Sequence, residues 1–116
     1  MNSTIYLQEE LNLKDKYLNK IKECIVHLSS LDFVEEIILF GSCARNECIL
    51  GSDVDLLVIT HRETKRVERG LVYSDLCYKL NGVSADIVFA TRQQYVEDDN
   101  KLFENIKRDG KTLWRR

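Results

Sequence analysis

Ten residues separate a Gly-Ser pair at the end of one apolar stretch from an Asp-x-Asp at the head of another, and this spacing constrains the chain more than any other feature. The first stretch, Ile37-Ile38-Leu39-Phe40, runs into Gly41-Ser42-Cys43-Ala44-Arg45. A missing side chain at Gly41 lets a ligand approach the backbone, and Ser42 is expected to cap a short helix whose first N–H groups face an anion. The second stretch begins Asp53-Val54-Asp55-Leu56 and reads as a strand over 54–59. Side chains alternate along a strand, so Asp53 and Asp55 leave the same face. Two carboxylates ~6 Å apart repel by roughly 3 kcal/mol at an effective dielectric of about 20. A Mg²⁺ ion, a hard cation that takes oxygen ligands and accompanies nucleoside triphosphates, turns that repulsion into a binding site. Taken singly, a Gly-Ser pair is an ordinary turn and an Asp-x-Asp an ordinary solvated pair. Their conjunction with two apolar strands is what points to phosphate and metal.

The rest of the chain reads as an α/β (α+β) domain, a small mixed sheet flanked by helices, spanning residues 1–116 as one unit. Apolar positions at helical spacing, among them Leu7, Leu11, Leu18, Ile21, Ile25 and Leu28, predict one long helix over 4–29. A strand over 34–40 follows, then the short helix from Ser42, then the strand carrying the Asp pair. A helix over 63–80 ends at Asn81-Gly82, a left-handed stop. The third strand, 83–89, carries Asp86, and Thr91-Arg92-Gln93-Gln94 reads as a capping box opening a last helix to Arg108. Residues 111–114 are expected to add a short edge strand. If the strand of Asp86 pairs beside that of Asp55, three carboxylates meet at one sheet edge. Asp53 and Asp55 would then hold metal, and Asp86 would bind metal nearer the acceptor and take up its proton.

Composition narrows the class. A net charge of -2, with 44% hydrophobic and 31% charged residues, gives no general reason to expect nucleic acid or membrane as a partner. Lys107, Arg108, Lys111, Arg115 and Arg116 gather late and read as a solvated tail. The four cysteines form no CxxC pair, and with only His27 and His61 to join them they argue against zinc. Cys43 reads as a small filler within the Gly-Ser motif. No secretory pattern opens the chain and no apolar run reaches membrane-spanning length, so a cytoplasmic location with reduced thiols is expected.

Phe40, Gly41, Ser42, Asp53, Asp55 and Asp86, with Ala44-Arg45 and the closing Asp109-Gly110-Lys111, resemble the minimal nucleotidyltransferase family, small members of the DNA polymerase β-like superfamily. That family's pattern is a hydrophobic residue, Gly-Ser, ten residues, Asp-x-Asp and a third acidic residue on a later strand. The chain departs from it at Asn46, where the family commonly has glycine; asparagine tolerates a left-handed backbone. The resemblance implies a nucleotidyltransferase fold, with Gly41, Ser42 and Arg45 binding nucleotide and Asp53, Asp55 and Asp86 serving catalysis and Mg²⁺. Arg45 either contacts phosphate or braces its loop. The resemblance also implies a type VII-like antitoxin, which moves AMP from ATP onto a tyrosine of a HEPN-domain ribonuclease toxin and silences it. The chain lacks that toxin's own Arg-x4-6-His signature, and its size leaves little for an acceptor-binding domain. Two other readings stand beside this one: a small-molecule adenylyltransferase subunit, and a module that neutralises a toxin by contact alone.

Overall fold

The computed structural model describes residues 4–5, 15–45, 47, 53–81 and 83–116. Five strands, β1 (Thr4–Ile5), β2 (Val34–Phe40), β3 (Val54–Thr60), β4 (Ala85–Thr91) and β5 (Lys111–Arg115), form one sheet in the order β1-β5-β2-β3-β4. Only β3 and β4 are parallel. A parallel pair needs a long crossover, and helix α3 (Arg66–Lys79) supplies it. The remaining helices among the described residues are α1 (Asp15–Ser29), α2 (Gly41–Ala44), α4 (Arg92–Glu97) and α5 (Lys101–Asp109).

Alternation along the strands divides the core in two. Ile37, Leu39, Val54, Leu56 and Val58 face one side and pack with Ile21, Ile25 and Leu28 of α1 and Val72 and Leu76 of α3. Ile38, Phe40, Leu57 and Ile59 face the other, against Tyr95 of α4 and Phe103 and Ile106 of α5. Both faces of β2 and β3 are thus covered, which is why these strands read as continuous apolar runs.

Four expectations about elements need correction. Thr4 and Ile5 are a strand paired with Arg115 and Trp114, not the start of the first helix. β-branched Thr and Ile suit a pleated strand better than a helix. Residues 6–14 lie outside the described residues, as do Leu7, Leu11, Cys48, Asn46 and the expected stop at Gly82. The last helix is two helices, because Asn100 caps a fresh start: its Oδ1 accepts the Phe103 N–H at 2.9 Å. β5 is not an edge strand but sits between β1 and β2. Finally, the basic residues near the end of the chain are exposed as expected, but they belong to α5 and β5 and the end itself is tied down rather than a tail. Arg116 donates to the carbonyls of Ser29, Leu31 and Val34 and lies over the Trp114 ring. The Thr91–Gln94 capping box forms as expected, with reciprocal hydrogen bonds of 3.1 and 2.9 Å. No helix among the described residues is long and apolar enough to cross a membrane.

Candidate active site

Strand register assembles the site. Phe40 of β2 stands opposite Asp55 of β3, and Asp55 stands beside Asp86 of β4. Neighbouring strands lie ~4.8 Å apart, so these three positions form one row across the sheet. Asp53 lies just before β3, two residues from Asp55 and on the same face. That face is the one α4 and α5 cover, and the carboxylates stand at the strand ends away from α4. Asp53 and Asp86 are exposed and Asp55 is partly buried.

The electrostatics record this proximity. Burial, reinforced by the neighbouring charges of Asp86 and Asp53, pushes the Asp55 carboxyl up to about 6, with Arg45 opposing. Such a cluster resists further negative charge and favours a cation. The side chains as they stand do not close on a metal: among the described residues no three His, Cys, Asp or Glu side chains converge tightly enough to hold one. The donor set nevertheless fits a divalent cation, being hard carboxylate oxygens on adjacent strands whose mutual repulsion already perturbs Asp55.

Gly41 has a reason beyond ligand approach. Its backbone is left-handed at φ 74°, and a Cβ there would collide with Asp55 Oδ2 and lie 3.0 Å from its Cγ. The absent side chain makes room for the carboxylate itself, tying the Gly-Ser motif to the Asp-x-Asp motif by direct contact. Ser42 is not the cap expected from the sequence. It is the second residue of α2, whose cap is Phe40 in extended conformation without a side-chain hydrogen bond. Buried Cys43 is indeed a filler, and its Sγ donates to the Asp53 carbonyl at 3.5 Å, holding α2 against the head of β3. Arg45 braces its loop, its Nε donating to Glu47 Oε1 at 2.8 Å, and remains exposed.

One neighbourhood of the site escaped the sequence. The C-terminal turn of α5 meets α2, forming a cleft lined by Phe40, Gly41, Arg45, Ile106, Arg108 and Asp109. The Asp109-Gly110-Lys111 ending was its only sequence signal, and Arg108 was grouped with the basic tail. Two larger hollows, lined by Thr60, Glu63, Thr91 and Gln94 or by Glu35, Arg62 and Gln93, lie at the opposite strand ends from the carboxylates.

A family model described as the nucleotidyltransferase domain matches residues 18–111. No curated protein matches the chain. Among solved structures, a toxin–antitoxin crystallised with AMP-PNP contains a chain 21% identical to this one, with a TM-score of 0.64 over 89% of this chain and 75% of that one. A chain from the complex of tri-AMPylated Shewanella oneidensis HEPN toxin with MNT antitoxin is 21% identical, with a TM-score of 0.57 over 87% of this chain and 73% of that one. A protein assigned as a minimal nucleotidyltransferase is 25% identical, with a TM-score of 0.61 over 86% of this chain and 96% of that one. The two complexes show a shared fold.

Proposed function

The chain belongs to the nucleotidyltransferase domain family, and from that premise we propose that it is an antitoxin that moves AMP from ATP to a tyrosine hydroxyl of a cognate HEPN-domain ribonuclease. The observation that carries the reading is the row Phe40–Asp55–Asp86, which sets the Gly-Ser motif on one side of a carboxylate pair and a third carboxylate on the other. Asp53 and Asp55 would hold a divalent cation, which supplies charge neutralisation at the phosphates. Asp86, exposed on an edge strand, accepts the proton of the attacking hydroxyl. The acceptor oxygen bonds to the α-phosphorus, the bond from that phosphorus to the β-phosphate oxygen breaks, and pyrophosphate leaves. Ser42 and the backbone at Gly41 bind the phosphates on the departing side. Fold likeness to chains of toxin–antitoxin complexes, one with AMP-PNP and one tri-AMPylated, supports this acceptor. AMP on the ribonuclease adds negative charge where RNA phosphates must bind, which blocks it.

The test is mass spectrometry of a helical HEPN partner after incubation with this protein, ATP and Mg²⁺. An AMP-sized increment on tyrosine, lost with Asp53→Asn, supports the reading. Neutralisation of the ribonuclease with no modification would replace catalysis with binding alone.

A further inference from the structure

On the side of Asp55 away from Asp86, the cleft between α2 and α5 encloses about 170 Å³. Holding one water takes about 10–15 Å³ of such space, so the cleft admits a phosphoryl group with its hydration. Two arginines line it. Arg108 pairs with its sequence neighbour Asp109 at 3.1 Å and keeps 67% of its side chain exposed, and Arg45 pairs with Glu47 at 2.8 Å and keeps 44% exposed. Exposed pairs between residues so close in sequence are weakly held and exchange readily for a more highly charged anion. The Asp109 carboxyl is held below the usual aspartate value by its hydrogen bond from Arg108, with the charges of Arg45 and Lys111 adding to the effect. Three cations, Arg45, Arg108 and Lys111, thus act on the Asp109 carboxylate, with Glu47 the direct partner of Arg45.

The row across the sheet gives the cleft its meaning. An acceptor served by Asp86 requires the α-phosphorus at that end, so the other two phosphates extend across Asp55 toward Gly41. Beyond Gly41 lies the cleft. We propose that it receives the distal phosphate of the nucleoside triphosphate, and that Arg108 is the residue that distinguishes a triphosphate from a diphosphate, leaving Asp109 for the ligand. The inference rests on the nucleotidyltransferase reading of the carboxylates and adds to it the selection of the co-substrate.

Calorimetry with α,β-methylene-ATP and α,β-methylene-ADP, each with Mg²⁺, tests it without turnover. The wild-type protein should bind the triphosphate about tenfold or more tightly than the diphosphate, the scale of one charge-assisted contact. Arg108→Ala should bring that ratio close to one while leaving the diphosphate affinity unchanged. Asp109→Asn, which frees Arg108 and removes a negative charge from the cleft, should raise the triphosphate affinity. A folded Arg108→Ala protein that keeps the wild-type ratio, or that loses affinity for both nucleotides equally, overturns the assignment of Arg108 and leaves the carboxylate site standing. Wild-type protein that binds neither nucleotide overturns both.

Discussion

Asp55 is the residue on which the site turns. Its carboxylate is packed against Gly41, flanked by Asp53 and Asp86, and pushed up to about 6 by burial and those charges. A folded-state value above the ordinary 3.8 means the folded protein holds this proton more tightly than the unfolded chain. The resulting stabilisation is complete below about 4 and is lost as pH rises through the folded value near 6. At neutral pH without metal, Asp55 therefore weakens the fold, and Asp55→Asn should relieve the strain by about 1 kcal/mol after allowance for solvent screening. Thermal melts should show a midpoint roughly 4 °C higher for the variant at pH 7, the difference vanishing by pH 4. Mg²⁺ should raise the wild-type midpoint and leave the variant's unchanged, because only a state that binds metal gains from it. An Asp55→Asn protein less stable than wild type at pH 7 would show that the carboxylate is held by favourable contacts and not by enforced crowding.

At the scale of elements, the apolar runs of β2 and β3 and the acidic start of each site strand were legible because burial on both faces and alternation leave a direct mark on sequence. The Thr91–Gln94 capping box was legible for the same local reason. The order of strands was not, since β5 inserts beside β2 through pairings more than 70 residues apart. Nor was the device that secures it. Glu36, 2% exposed, accepts hydrogen bonds from Thr112 at 2.6 Å, Arg92 at 2.7 Å and Arg115 at 3.2 Å, joining β2, α4 and β5. Burial alone would raise its carboxyl, but those three bonds hold it below the ordinary 4.5. In sequence Glu36 is one of two adjacent glutamates in an apolar run, and its partners come from distant segments. Glu36→Ala strands two arginine contacts and should cost about 3 kcal/mol in urea unfolding. A lowered carboxyl contributes above the unfolded value and loses that contribution as pH falls through the folded one, so the gap between variant and wild type should close in acid below 4.5. A gap unchanged into strong acid would mean that packing, not charge, is what Glu36 contributes.

Across the whole molecule, the sheet edge that carries Asp86 and the main stretch of exposed apolar side chains lie on neighbouring elements. β4 is an edge strand of the sheet and carries Asp86, so under the proposed function an acceptor on another protein would reach that carboxylate from outside. Of the two long helices, α1 spends its apolar stripe inside: Tyr17, Ile21, Cys24, Ile25 and Leu28 are all buried. Burial also pushes the Cys24 thiol up to about 12, leaving it inert. Helix α3, which crosses from β3 to β4, keeps Val67, Leu71 and Tyr78 exposed at 72%, 64% and 87%. Residues four and seven apart share a helix face, so these three form one stripe. Under the proposed function this stripe is the contact for the ribonuclease, and Tyr78 is its aromatic anchor. Leu71→Asp with Tyr78→Asp should weaken binding of the partner at least about tenfold, as loss of such anchors does. The same double variant should bind α,β-methylene-ATP as the wild type does and melt at the same temperature, since neither side chain belongs to the core. Titration of the immobilised HEPN partner with both proteins measures the difference. Equal affinities would move the docking surface off α3 and leave the acceptor to approach Asp86 from the α5 side.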